Sequence, residues 1–209
     1  MNHEHKYLLN KIGIENFIEA QKLDIQTDLA TLEIQIKNCE RCSLSRSRKM
    51  AVPGEGPISA KLILIGEAPG ENEDEVGKPF VGVSGVLLDK MILAMGFKRD
   101  EVFITNIVKC RPPKNRNPNE DEIVACSNFL EMQLQSLTPK LVIAFGRIAA
   151  QSLLNTNKPL AKLRAEIHNS PKFGLPVLCT YHPSYLLRKP EEKRAAWEDL
   201  KLAMKFMAQ

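Results

Sequence analysis

The chain has 209 residues, 44% of them hydrophobic, enough for one domain with a sizeable core. No stretch approaches the roughly 18 to 20 unbroken apolar residues of a membrane span. The opening MNHEHKYLLNKIGIENF has no secretory pattern, so a cytoplasmic protein is expected. Five cysteines without an export signal favour metal or thiol chemistry over a disulfide framework, and a net charge of +4 gives no global argument for nucleic acid.

Residues 1–38 read as helical and peripheral, with Ile25, Leu29, Leu32 and Ile36 on one apolar stripe. His3 and His5 belong to a frayed end rather than a metal site. Cys39-Glu40-Arg41-Cys42 follows, a spacing that lets two thiolates turn toward one metal. Residues 43–60 are polar and loop-like, with Pro53-Gly54-Glu55-Gly56-Pro57 as a rigid bend.

The stretch from Lys61 to Gly85 organises the rest. Leu62-Ile63-Leu64-Ile65 is the apolar run of a strand buried on both faces, broken at Gly66. A long polar loop from Glu67 to Phe80 carries five acids (Glu67, Glu71, Glu73, Asp74, Glu75) and a lone aromatic, Phe80, set between a proline and a glycine. Ser84 caps a helix running through Val86 to Met95.

A second strand spans Val102–Val108 and runs into Lys109-Cys110-Arg111-Pro112-Pro113, where prolines disfavour regular structure. Asn117-Pro118 opens a helix that carries Cys126, with Ile123, Leu130 and Leu134 inward. Leu141-Val142-Ile143-Ala144-Phe145 is a third buried strand, followed by a helix over Ile148–Leu154. Pro176–Thr180 is the fourth strand, ending at Tyr181-His182-Pro183-Ser184, and a last helix starts near Pro190. This alternation predicts an α/β fold with a four-stranded parallel sheet covered on both faces. Four loops would meet at one sheet edge: Glu67–Phe80, Lys109–Pro118, Gly146–Arg147 and Tyr181–Ser184.

Cys39, Cys42, Cys110 and Cys126 form a two-plus-one-plus-one set. A zinc ribbon would normally show two CxxC knuckles, whereas four cysteines from separated elements suit an iron–sulfur cluster. Buried small hydrophobes are the alternative for Cys110 and Cys126; the neighbouring Arg41, Lys109 and Arg111 weigh against it, because they stabilise thiolates. Cys179 ends a buried strand and reads as core. Basic clusters at Arg41–Lys49, Lys98–Arg116 and Arg188–Arg194 facing the acidic loop would form a polyanion groove; three solvated faces are the alternative.

Seven motifs in order resemble the type 4 uracil-DNA glycosylases, the iron–sulfur branch of the uracil-DNA glycosylase superfamily. They are Cys39-x-x-Cys42, Val52–Pro57, Gly66-Glu67-Ala68-Pro69-Gly70, Gly77–Gly82, Thr105–Pro113, Asn115–Pro118 and Thr180–Ser184, and the resemblance covers about residues 35–205. It implies a three-layer α/β/α sandwich over residues 35–209, an N-terminal helical extension over 1–34, and a 4Fe–4S cluster on Cys39, Cys42, Cys110 and Cys126. It also implies a monomer acting on uracil-containing DNA, single- or double-stranded.

By this resemblance, Phe80 stacks on a flipped-out uracil and Asn106 reads its polar edge, with Glu67 and Ala68 beside it. His182 stabilises the departing uracil anion, Glu73 supports the sugar or orients water, and Asn115 helps hold substrate or water. Ala68 stands where the best-known superfamily members carry a water-activating aspartate, as in type 4 enzymes. The chain departs from the family at Arg164-Ala165, commonly Arg-Gly, where Ala165 would resist a positive φ, and at Val83. Two other functions compete with a monofunctional glycosylase: covalent trapping of uracil-DNA, and an iron–sulfur accessory protein without base release.

Overall fold

The computed structural model describes residues 29–209. Residues 1–28, with the expected Ile25 stripe position and the two N-terminal histidines, lie outside the described residues. Helix α1 (Leu29–Lys37) packs on the domain through Leu32 and Ile36, both fully buried, and spans the expected boundary at residue 34. Strand β1 (Leu62–Gly66) leads to α2 (Glu71–Val76) and α3 (Val83–Ala94). Then come β2 (Phe103–Asn106), α4 (Glu120–Leu137), β3 (Leu141–Phe145) and α5 (Arg147–Leu154). The chain closes with β4 (Ile167–Asn169), β5 (Pro176–Thr180), α6 (Pro183–Arg188) and α7 (Lys193–Met207).

The sheet order is β2-β1-β3-β5-β4. The first four strands of that order are mutually parallel, as the strand–helix alternation requires. Side chains alternate across the strands and split the core into two layers. Ile63, Ile65, Val142 and Ala144 face α1, α4 and α5, through Ile36, Phe129, Leu130 and Leu153. Leu62, Leu64, Ile143 and Phe145 face α3, α6 and α7, through Leu88, Ile92, Leu186 and Leu200. This is the expected three-layer sandwich.

Several expectations are corrected. The sheet has five strands, because the short β4 pairs antiparallel with β5. Its half-exposed Ile-His-Asn sequence carries no buried apolar run, so nothing in the pattern marks an edge strand. The stretch Glu67–Phe80 is not all loop: its acids build α2, whose first turn holds Glu71, Glu73 and Asp74, favourable at a helix N-terminus. Helix α3 begins at Val83 with Gly82 as its N-cap instead of Ser84. Helix α4 starts two residues later than expected, with Asn119 as N-cap; the Glu122 carboxylate accepts from the Asn119 N–H at 2.8 Å. His182-Pro183 opens a short helix where a loop was expected. Among the described residues no helix is long and apolar enough to cross a membrane.

Candidate active site

The four loops expected at one sheet edge do meet there, around a cleft of about 800 Å³. Parallel strands end in register at this edge, so Gly66 of β1 lies beside Asn106 of β2. Every strand-end side chain is therefore delivered to the same place.

Asn106 is 1% exposed, and its Oδ1 has no hydrogen-bond partner. A buried unpaired acceptor is costly, and at the floor of a cleft it is a place for a ligand donor. Phe80 lies against it. Its backbone adopts the left-handed region (φ 50°), a strained conformation for an aromatic residue. Two glycines make that placement possible. A Cβ at Gly85 would fall 1.8 Å from the Phe80 carbonyl oxygen, and one at Gly66 would fall 2.4 Å from Asn106 Oδ1 and 2.6 Å from Phe80 Cζ. The Phe80 ring meets Phe145 edge-on at 6.5 Å and stacks against His182 at 5.5 Å.

Glu73 holds this loop from below. One carboxylate oxygen accepts from Val81 N–H at 2.8 Å and Gly82 N–H at 3.0 Å; the other accepts from Gly70 N–H at 3.0 Å. Its two oxygens thus bind the backbone on both sides of Phe80's approach to the cleft.

His182 is the N-cap of α6. Its Nδ1 accepts from the Ser184 N–H at 3.1 Å, with Ser184 Oγ at 2.8 Å. An accepting Nδ1 leaves the ring proton on Nε2. Burial pushes the imidazole pKa down to about 4, and Arg188 acts in the same direction. The ring is therefore neutral at physiological pH.

Glu67 lines the same cleft, and burial raises its pKa against the opposing charge of Arg147. With the Asn117 carboxamide oriented to satisfy both its ends, its nitrogen donates to Glu67 Oε1 at 3.1 Å and its oxygen accepts from Arg147 Nη2 at 3.3 Å. Asn115 (φ 55°) borders the cleft with its Oδ1 held by Arg111 Nε at 2.8 Å, and Arg111 reaches Glu71 at 3.3 Å. Ala68 lines the cleft with no ionisable group. All seven expected cleft residues are thus brought together.

The four cysteines share a second cavity on the α4 side of the sheet. Cys39 and Cys42 follow α1, Cys110 follows β2, and Cys126 lies on α4. Each of three sulfurs faces an N–H: Arg48 Nη1 to Cys110 at 3.0 Å, Lys109 N to Cys126 at 3.3 Å, and Arg41 N to Cys39 at 3.5 Å. Burial pushes the Cys110 thiol up to about 11 and raises that of Cys126. Metal-free, these groups stay protonated, and a bound cation would reverse that. Among the described residues no three His, Cys, Asp or Glu side chains are spaced to hold a single metal ion. Four thiols around one cavity, with N–H groups turned to the sulfurs, fit a larger group. Cys179 is fully buried in the core, as expected.

The polyanion-groove expectation narrows. Arg48 and Lys49 are engaged by Cys110, the Lys37 carbonyl and Glu75. Arg99 pairs with Asp89, and Lys109 is buried. Arg116, Arg147 and Arg188 are the basic side chains that line the cleft. Sequence reasoning passed over Asn117 and Arg147 as site residues, although the Asn-Pro and Gly-Arg junctions at strand and helix ends marked both positions. It also passed over Arg164, which spans Asp199 (2.7 Å) and the Tyr181 ring (4.0 Å) and so fixes the chain just before His182.

A mostly parallel α/β sheet with an open cleft at its carboxyl edge and a cysteine cavity behind it defines a class, and comparison with known proteins specifies it. The uracil DNA glycosylase superfamily profile matches residues 53–201, and the chain belongs to that superfamily. It is 44% identical over 179 residues to the type-4 uracil-DNA glycosylase of Pyrobaculum aerophilum, covering 83% of this chain and 91% of the relative. The type-4 uracil-DNA glycosylase of Saccharolobus solfataricus is 44% identical, covering 80% and 81%. That of Thermotoga maritima is 38% identical, covering 83% and 91%.

Proposed function

We propose that the protein is a monofunctional uracil-DNA glycosylase of the type 4 branch, which hydrolyses the N-glycosidic bond of uracil in DNA and leaves an abasic site for base excision repair. The observation that carries this is the unpaired Asn106 Oδ1, buried beside the Phe80–His182 stack. A uracil turned out of the helix stacks on Phe80, and its N3–H donates to Asn106 Oδ1 while the carboxamide nitrogen donates to O4. Cytosine lacks the N3–H, so it would leave Oδ1 unpaired.

As the bond to C1′ breaks, electrons pass to the base, and negative charge gathers on the uracil oxygens. His182 Nε2–H donates to O2 without transferring its proton, as suits a ring too weakly basic to be cationic at neutral pH. Water adds to C1′ and loses a proton; the uracil anion takes up one from solvent. Asn115 and Glu67 lie on the cleft wall where that water would be held. Glu73 serves by fixing the Phe80 loop, and Ala68 leaves room for the base.

Cys39, Cys42, Cys110 and Cys126 would hold a 4Fe–4S cluster. When bound it supplies a covalent cross-link between the segment after α1, the segment after β2, and α4. The catalytic domain takes in helix α1 as well as residues 35–209, and acts as a monomer on single- or double-stranded DNA in the cytoplasm.

The test is one gel. Anaerobically purified protein is incubated with labelled uracil-containing oligonucleotide, single- and double-stranded, beside a thymine control. Each sample is run intact in denaturant and after hot alkali. Alkali-labile breaks at uracil alone support the proposal. A denaturant-stable shifted band would point to covalent trapping, and neither outcome from cluster-loaded protein would leave an iron–sulfur accessory role.

A further inference from the structure

Lys109 lies between the two cavities and is 1% exposed. A desolvated ammonium persists only when its protons are all bonded. Its Nζ donates to Thr105 Oγ1 at 2.7 Å, to the Asn106 carbonyl at 2.8 Å and to Gln133 Oε1 at 2.7 Å. All three acceptors are neutral oxygens, so the side chain is a three-way tie rather than an ion pair. Burial lowers its pKa to about 8.

The tie has a direction. Gln133 and Cys126 are seven residues apart on α4, hence on one helix face. Both grip Lys109, Gln133 at the ammonium and Cys126 Sγ at the backbone N–H. The other two acceptors belong to the end of β2. Gln133 Nε2 and Thr105 Oγ1 further share the Pro53 carbonyl, at 2.7 Å and 2.9 Å. The chain beyond Asn106 is also held, by Ile107 N–H to the Gly66 carbonyl at 2.9 Å. The backbone on both sides of Asn106 is thus held while its own Oδ1 stays unpaired.

We propose that Lys109 is a positioning residue for base recognition: strapped to α4 at Cys126 and Gln133, its ammonium fixes the Asn106 carbonyl and thereby aims the Asn106 carboxamide into the cleft. This rests on the reading of Asn106 as the group that receives uracil N3–H. The same tie makes the cysteine cavity and the base cleft mechanically continuous through residues 106–110.

The test compares the parent protein with Lys109→Met, Gln133→Met and Asn106→Ala. Three quantities are measured: kcat and KM on a uracil oligonucleotide, inhibition by free uracil against 3-methyluracil, and cluster content by visible absorbance with folding by circular dichroism. The inhibitor ratio reports the aim of Oδ1, because 3-methyluracil has no N3–H to donate; a merely structural role would leave it unmoved. Lys109→Met is expected to lose about 100-fold in kcat/KM and the preference for uracil, with cluster content and fold retained. A folded Lys109→Met that cleaves and discriminates like the parent overturns the proposal. If that variant does not fold, Gln133→Met decides by the same readouts, since it leaves the ammonium two acceptors. If Asn106→Ala also behaves as the parent, the reading of Asn106 itself fails; if Asn106→Ala is impaired and Lys109→Met is not, only the positioning role does.

Discussion

Gly66→Ala tests the architecture of the cleft with a single methyl group. The backbone at Gly66 is ordinary strand, so alanine brings no conformational strain. What it brings is contact. The new Cβ would lie 2.4 Å from Asn106 Oδ1, 2.6 Å from Phe80 Cζ and 2.9 Å from Phe80 Cε2. Carbon atoms do not approach closer than about 3.0 Å, so Oδ1 and the ring must each retreat by roughly half an ångström or more. The space open to them is the cleft itself, where the base would sit. Asn106 is held at its backbone by Lys109 and the β1 ladder, and Phe80 is wedged by Gly85 below and His182 beside it. Overpacking of this kind costs about 1–3 kcal/mol of stability. The catalytic cost should be larger. Both the stacking platform and the base-reading acceptor move together, and a misplacement approaching 1 Å is worth about 100-fold in rate. Single-turnover cleavage of a uracil oligonucleotide, read by alkali treatment, gives the rate, and thermal melting gives the stability. Gly96→Ala is the control, because a Cβ there meets nothing within 4 Å although its φ is +87°. It should lower the melting temperature and leave the rate intact. A Gly66→Ala enzyme as fast as its parent would refute the close approach of Asn106 and Phe80 at the cleft floor.

Three more outcomes follow from single residues. Ala165 sits at φ 64°, the conformation expected to suit glycine, so Ala165→Gly should stabilise the protein by about 1 kcal/mol; an unchanged or lower denaturation midpoint contradicts this. Glu122, bonded foremost by Arg116 and also by Asn119 N–H and Ser43, has its pKa lowered from 4.5 to about 2. A depressed folded pKa contributes stability above the unfolded value that is lost as pH falls through the folded one. Parent stability should therefore decline between about pH 4.5 and 2, and Glu122→Gln should be less stable at neutral pH with a flatter decline, measured by urea titration at each pH. Because burial lowers the His182 pKa to about 4, the acid limb of kcat attributable to this ring should fall near pH 4. A histidine limb near 6.5, absent in His182→Asn, would show that the ring is not desolvated.

Much of the fold was legible because burial on both faces leaves a strong signal. The apolar runs 62–65 and 141–145 could only be interior strands, and their alternation with helices fixes a parallel sheet whose loops share one edge. The cysteine spacing likewise announced a common cavity, because thiols from separated elements have few other reasons to lie beside basic residues. Glu73 and Lys109 were the reverse case. In the sequence Glu73 is one acid among five and Lys109 one cation in a basic cluster. Helix α2 turns the first toward three backbone N–H groups, and the approach of α4 to β2 seals the second from water. Neither commitment is local, since each depends on a partner brought close by the chain's return. Residue order alone thus settles which side-chain types reach the cleft and the cysteine cavity. Three-dimensional packing settles the rest: Asn106 keeps an unpaired oxygen, His182 is neutral, and a buried lysine beside the cysteine cavity is tied to the Asn106 carbonyl. Those properties are set by desolvation and by partners distant in sequence, which no periodicity or spacing encodes.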